Sequence, residues 1–394
     1  MKESVLITGV GVISAAGGNL AESLDSLADG RRNAGQVTLF QTPLDRPVFE
    51  VAQIPDKFLM EGRRTAGLAM CAVDEALRNA RLEGVLSALR VGVCMGTTVA
   101  SQLNDIDFYS TFRREGSAPL TAVERYLDGN LASFIAKRIG ANGPKMTVVN
   151  ACSSGTDAIG VALSWLRGGL CDIAIAGGAD ELNRVPYCGF NSLGIVSHEM
   201  CAPFDRDRRG LNLGEGAGVL ILETMNSARR RGITSGLQLT GYGSAADAYH
   251  LTAPRPDGAG LKKAIARALD ESGIEPSIAS GKISFINAHG TATHDNDKVE
   301  GRVILELFGK GIKMVSTKGC TGHTLGAAGG IEAVFAAAGL RAGWVPGTTG
   351  FKTFDEEIGI SPVSGKTAIS GAYALSTSLA FGGNNSVIVL RTTD

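Results

Sequence analysis

The stretch Met146-Thr147-Val148-Val149-Asn150-Ala151-Cys152-Ser153-Ser154-Gly155 decides how this chain is read. Residues 146–149 form a short apolar, β-type run. Ala158, Ile159, Ala162, Leu163 and Leu166 then recur at helical spacing. Cys152 therefore falls at a sharp strand-to-helix turn. Backbone N–H groups and the positive end of the helix dipole at such a turn favour a thiolate, and a thiolate there is a nucleophile. The competing reading is a small buried hydrophobe, the commonest fate of a free thiol and one that seven cysteines make available.

The same alternation extends in both directions. Further β-type runs lie at residues 5–8, 91–95, 173–176, 218–222, 283–287 and 386–390. Leu20, Leu24 and Leu27, and later Leu261, Ile265 and Leu269, each line one helix face. Strand–helix alternation predicts α/β layers with mostly parallel strands. Two internal echoes accompany it. Gly214-Glu215-Gly216-Ala217-Gly218 with its following Val219-Leu220-Ile221-Leu222 resembles Gly382-Gly383-Asn384-Asn385-Ser386 with Val387-Ile388-Val389-Leu390. Val93-Cys94-Met95-Gly96-Thr97-Thr98 echoes Asn287-Ala288-His289-Gly290-Thr291-Ala292-Thr293. They suggest two related halves, residues 1–235 and 236–394. Residues 105–127, polar and aromatic, interrupt the pattern and read as an insertion or a partner-facing lobe.

Composition narrows the class. A chain of 394 residues with 44% hydrophobic and 20% charged content is ordinary for a globular protein. A net charge of −1 argues against nucleic acid as a general partner. No apolar run approaches the roughly 20 residues that span a bilayer, and Met1-Lys2-Glu3-Ser4 leads into the first β-type run with no signal-peptide pattern. The cysteines are odd in number and lack CxxC pairs, which fits a reducing cytosol rather than a disulfide framework or a zinc site. The expectation is a soluble cytoplasmic protein.

Only five histidines exist, and His289 and His323 sit in Gly-rich segments where strands should end, the place where open α/β sheets hold ligands. His198 and His250 read as structural. A metal centre is a poor reading: His289 and His294 are five apart, wrong for one helix face, and Asp295 and Asp297 have no matching cysteine ligands. A cysteine with two histidines suits acyl transfer. The sulfur accepts the acyl group while imidazoles donate hydrogen bonds to developing oxyanions.

These segments together carry a resemblance. Ala151-Cys152-Ser153-Ser154-Gly155, Asn287-Ala288-His289-Gly290-Thr291-Ala292-Thr293 and Ser316-Thr317-Lys318-Gly319-Cys320-Thr321-Gly322-His323 are similar to motifs of the β-ketoacyl–acyl carrier protein synthases, elongating type I and II condensing enzymes of the thiolase superfamily. Pro203-Phe204-Asp205, Asp247-Ala248-Tyr249-His250 and Ala380-Phe381-Gly382-Gly383-Asn384-Asn385 follow in family order. The resemblance implies a five-layered αβαβα thiolase-like fold with two pseudo-symmetric halves sharing one site. Cys152 would take an acyl chain from acyl-carrier protein as a thioester. Malonyl-carrier protein would lose CO2 there, and His289 and His323 would stabilise the enolate. The backbone N–H groups of Cys152 and Phe381 would hold the thioester oxyanion, with Phe381 as gate. Lys318 would pair with Glu300 to set the site's charge. Thr291 and Thr293 would bind the phosphopantetheine arm, which arrives on the carrier protein, so no resident cofactor is implied. Val99 would shape the acyl pocket, and Arg63 and Arg64 would face an acidic carrier protein. Homodimer and heterodimer with a chain-length factor both fit.

Three departures stand out. Leu379-Ala380 replaces the first aromatic-glycine pair of the usual gate run, His294 replaces the proline after the His-Gly-Thr-x-Thr motif, and Gly194 occupies a position often basic. They point to a specialised synthase for polyene, aryl polyene or type II polyketide products rather than housekeeping fatty acid elongation. Three rivals remain. A catalytically silent chain-length partner should lack the nucleophile. A coenzyme A-dependent thiolase should carry a second cysteine near the last Gly-rich motif, yet none follows Cys320. A cysteine hydrolase would want a carboxylate orienting one histidine.

Overall fold

The computed structural model describes residues 5–84, 86–98, 105–127, 130–275, 279 and 281–393, so Val99 lies outside the described residues. The first half contributes β1 (Val5–Ser14), β2 (Val91–Gly96), β3 (Lys145–Val148), β4 (Ile173–Asp180) and β5 (Gly216–Thr224). The second contributes β6 (Leu237–Ala246), β7 (Ile283–Asn287), β8 (Lys313–Val315), β11 (Tyr373–Ala380) and β12 (Asn384–Thr392), with β9 (Trp344–Val345) and β10 (Thr367–Ala368) pairing separately. Strand order is β3-β2-β4-β5-β1-β6-β12-β11-β7-β8. Read outward from the β1–β6 junction, both halves follow one rule: first strand, fifth, fourth, second, third. That mirrored order is the pseudo-symmetry the Gly-led echoes foreshadowed.

The sheet is mixed, not mostly parallel. β2–β3, β2–β4, β7–β8 and β7–β11 run parallel, whereas the pairs involving β1, β5, β6 and β12 run antiparallel. In the second half the cause is local. Only Phe381, Gly382 and Gly383 separate β11 from β12, too few for a crossover, and both glycines sit at positive φ, 83° and 77°.

Alternation along each strand separates three cores. Ala174, Ala176, Leu220, Leu222, Ile388 and Leu390 point inward onto the helices Ser154–Arg167 and Ala328–Ala342. Ile173, Ile175, Val219 and Ile221 point outward under the helices Arg64–Asn79 and Leu131–Ile139. Val387 and Val389 face the opposite outer layer, Ala259–Glu271 and His294–Phe308. The two halves of the sheet thus lie on either side of the shared helix pair, each with its own helices outside, which makes five layers. With both faces covered, the central strands read as continuous apolar runs. Gly9 and Gly11 of β1 let the carbonyls of Ala76 and Ala72 approach so closely that a Cβ would stand 2.3 and 2.0 Å from them; Gly241 and Gly243 of β6 do the same for Ala268 and Ala264 at 2.2 and 2.1 Å. One helical stretch among the described residues, Leu325–Ala342, is long and apolar enough to cross a membrane, but 89% of it is buried inside the fold as part of the middle layer.

Within residues 105–127 lie the helices Ile106–Glu115 and Thr121–Leu127. The first buries no residue, and Tyr109 and Phe112 are more than half or about half exposed, at 58% and 50%. Apolar side chains so placed suit the partner-facing reading.

Candidate active site

Cys152 occupies the turn between β3 and the helix Ser154–Arg167, and the strain of that turn sits one residue earlier, where Ala151 adopts φ 49°. Ser154 Oγ accepts from Asn150 N–H at 2.7 Å and donates to the Ala151 carbonyl at 2.6 Å, closing the turn. His289 follows β7 and His323 follows the single turn Lys318–Thr321, so both histidines leave the ends of second-half elements. They converge on the sulfur. His323 Nε2 lies 3.1 Å from Cys152 Sγ, and the two imidazole rings meet edge to face, 87° apart at 5.2 Å between centroids. All three are buried, and all three line a cavity of about 400 Å³.

Burial sets the protonation states. It pushes the Cys152 thiol up to about 12, against the pull of Lys318 and of the Phe381 N–H, which donates to the sulfur. The resting group is therefore a thiol, and the thiolate expected from the helix dipole is overruled by desolvation. Burial, reinforced by Lys318, holds His289 and His323 well below the ordinary histidine value. Both imidazoles are neutral. A neutral His323 beside a thiol is positioned to take its proton as the sulfur attacks, and neutral imidazoles donate N–H bonds to an oxyanion.

Lys318 is buried but does not pair with Glu300. Its Nζ contacts the Glu332 carboxylate and the His289 carbonyl, and approaches His289 Nδ1 at 3.2 Å. Because an ammonium only donates, His289 Nδ1 must accept, which leaves the proton on Nε2. Glu300 acts one layer behind. It accepts from the backbone N–H groups of His289 and Gly290, both at 2.8 Å, and from Thr377 Oγ1 at 2.7 Å. Its carboxylate thus shapes the histidine loop, not the charge of Lys318. The sequence offered one signal for Glu332: it is the lone acid within the apolar run of the helix Ala328–Ala342.

Thr291 and Thr293 line the cavity and touch each other through their hydroxyls at 2.9 Å. Phe381 lines it too, stacked on Phe190 at 5.4 Å and 16°, while the Phe190 and His323 rings stand perpendicular, 88° apart at 6.4 Å between centroids. Nothing in the sequence around Phe190 marks it. Arg63 and Arg64 lie away from the cavity lining. Arg63 rests over the Phe134 ring, and Arg64 is committed to Glu215, which also caps the N–H groups of Val51 and Leu182. The Arg64 guanidinium thus clamps elements within the fold while its side chain stays 26% exposed. Among the described residues, Arg209 is an exposed cation that does line the cavity.

A buried thiol, two neutral imidazoles and a stacked pair of phenylalanines around one cavity suit a cysteine condensing site on a thiolase-like fold. The chain matches the family description "Beta-ketoacyl synthase, N-terminal domain" over residues 2–228 and its C-terminal counterpart over residues 238–352, and it belongs to the β-ketoacyl synthase family. It is 35% identical to the 3-oxoacyl-[acyl-carrier-protein] synthase 2 of Synechocystis, covering 99% of this chain and 98% of that one. The synthase of the same name from Staphylococcus aureus is 32% identical over 98% of each chain. Among solved structures, the ishigamide ketosynthase/chain length factor superposes with a TM-score of 0.93 at 31% identity, covering both chains fully. A ketosynthase in complex with its chain length factor from Xenorhabdus doucetiae gives 0.84 at 29%, over 99% of this chain and 98% of that one.

Proposed function

We propose that this chain is a working β-ketoacyl–acyl carrier protein synthase, with Cys152 as acyl acceptor and His289 and His323 as enolate stabilisers. The observation that carries the reading is the convergence of Cys152 Sγ and His323 Nε2 at 3.1 Å beneath the Phe381 N–H. Cys152 attacks the acyl thioester; its proton passes by way of His323 Nε2 to the departing pantetheine thiolate, leaving acyl-Cys152 and a free thiol. The malonyl thioester then enters the same cavity, its arm against Thr291 and Thr293. Its C–C bond breaks to release CO2, and the enolate oxygen is held by the His289 Nε2–H and by His323 once its ring has gone over to the tautomer that carries the proton on Nε2. The enolate carbon attacks acyl-Cys152, the C–S bond breaks, and the Cys152 thiolate takes up one proton from solvent, the proton that decarboxylation of the malonyl carboxylate consumes overall. No group beyond the carrier's own arm is required.

Carrier proteins are thus the substrates' vehicles and the necessary partners, and the reaction takes place in the cytoplasm. We place the chain in a polyene or type II polyketide pathway, as one protomer of a homodimer or of a heterodimer with a chain length factor. Two observations support this: the departures at Leu379, Gly194 and His294, and structural neighbours that include a type II polyketide acyl-carrier protein in complex with its ketosynthase, superposing with a TM-score of 0.90 at 26% identity. A Cys152→Gln variant tests the chemistry. It should release CO2 from malonyl-carrier protein and form no β-ketoacyl product; retained condensation sinks the nucleophile assignment. Turnover compared across carrier proteins tests the pathway, and preference for the host's fatty-acid carrier argues against it.

A further inference from the structure

Asp157 lies in the first turn of the helix that follows the nucleophile, buried to 5% exposure, and its two oxygens serve different halves of the molecule. Oδ2 accepts from Asn150 Nδ2 at 2.6 Å and from Ser153 Oγ at 2.8 Å, the residues on either side of Ala151-Cys152. Oδ1 accepts from Tyr242 OH at 2.7 Å and from Ser386 Oγ, which belong to β6 and β12 of the second half. Tyr242 and Ser386 share one face of the β6–β12 ladder, since Ser386 pairs with Ser244, two residues from Tyr242. Gly160, one turn further along the nucleophile helix, makes room for the phenol: a Cβ there would stand 2.4 Å from the Tyr242 ring. Four donor groups converge on this one carboxyl group, with Ser153 Oγ also within reach of the Asn150 carbonyl at 2.9 Å.

The position of this carboxylate matters because the oxyanion hole is split between the halves. One N–H comes from Cys152 itself, on the turn that Asn150 and Ser153 flank. The other comes from Phe381, in the three-residue turn that leads into β12, five residues before Ser386. We infer that Asp157 is a positioning residue that holds the nucleophile turn in register with β12 and so sets the spacing of the two oxyanion donors. It touches no substrate and acts through Asn150 and Ser153 on one side and Tyr242 and Ser386 on the other. The inference rests on Cys152 being the acyl acceptor. A single hydrogen-bond donor misplaced from an oxyanion is worth about 10²–10³ in rate, and displacements of about 1 Å suffice to lose much of it.

The two half-reactions separate this role from mere scaffolding. Acyl loading needs the Cys152–Phe381 hole, whereas malonyl decarboxylation draws on His289 and His323. The double variant Tyr242→Phe, Ser386→Ala removes the Oδ1 partners and leaves the nucleophile turn intact; Asp157→Asn is the second variant. For each, single-turnover acyl loading from acyl-carrier protein and CO2 release from malonyl-carrier protein are measured beside the melting temperature. The expected result is acyl loading about 10- to 100-fold slower with decarboxylation within about threefold of wild type. Loading and decarboxylation falling in parallel, or loading unchanged while the melting temperature drops, overturns the inference. Mass spectrometry of wild-type acyl loading on Cys152, run alongside, shows independently whether the nucleophile assignment stands.

Discussion

Replacing Lys318 by Met keeps the unbranched stem and deletes the ammonium. The structure lets the loss be divided. In wild type Nζ contacts Glu332 and the His289 carbonyl and donates to His289 Nδ1. Breaking a buried ion pair commonly costs about 3–5 kcal/mol because an unpaired charge stays behind. Here the charge need not stay, since burial already holds the Glu332 carboxyl at about 7 even with Lys318 beside it. Without the ammonium it rises further and is neutral at physiological pH. What remains is the orphaning of the His289 carbonyl and one apolar-for-polar swap, about 1–3 kcal/mol. Unfolding entropy of about 2.1 cal/mol/K per residue over 394 residues converts that to a melting temperature lower by roughly 1–4 °C. The catalytic loss should be larger. His289 loses the donor that fixes its proton on Nε2, so decarboxylation should fall about 10- to 100-fold. Lys318 also helps hold both imidazoles below their ordinary values, behind the larger effect of burial. Its removal raises them, and the acid limb of the rate profile should move to higher pH. CO2 release from labelled malonyl-carrier protein between pH 4.5 and 8 reads both effects. An unchanged rate with an unmoved acid limb would refute the assignment of Lys318 as the tautomer-setting group.

Two further outcomes follow from the same geometry. Phe190→Ala deletes the stack on Phe381, an interaction worth about 0.5–1.5 kcal/mol beyond area burial, so the lid opens more often. Hydrolysis of acyl-Cys152 relative to condensation should rise about two- to tenfold, and an unchanged ratio would show that Phe190 does not hold the lid. Glu332→Gln probes the raised carboxyl. Its folded value of about 7 exceeds the ordinary 4.5, so the neutral form favours folding and wild-type stability is lost as pH rises through about 7. The wild-type minus variant difference in melting temperature should therefore become more negative from pH 5 to 8; a flat difference contradicts the shift.

Much of this architecture could be read from residues alone, for identifiable reasons. Strands covered on both faces, such as β4 and β5, are continuous apolar runs and were legible. β6 was not, because Leu237-Gln238-Leu239-Thr240-Gly241-Tyr242-Gly243 carries glycines where the helix Ala259–Glu271 packs tightly; Gly9-Val10-Gly11 in β1 held the matching signal. The mixed sheet was missed because strand direction depends on which strands become neighbours, not on any single segment. At the site, Cys152, His289 and His323 stood out through their Gly-rich settings. Partnerships did not. Lys318 meets Glu332 instead of Glu300, and Arg64 turns to Glu215, because each choice depends on which element packs behind the loop. The thiolate expectation failed for a related reason: a helix terminus is visible in sequence, while the depth of burial that outweighs it is not.

Incubating the purified chain with acyl-carrier protein, digesting it and weighing the peptide that carries Cys152 bears most directly on the whole account. The account predicts one acyl mass on that peptide, lost on adding malonyl-carrier protein as CO2 and a two-carbon-longer product appear. An acyl group on another residue, or none on any, would contradict it.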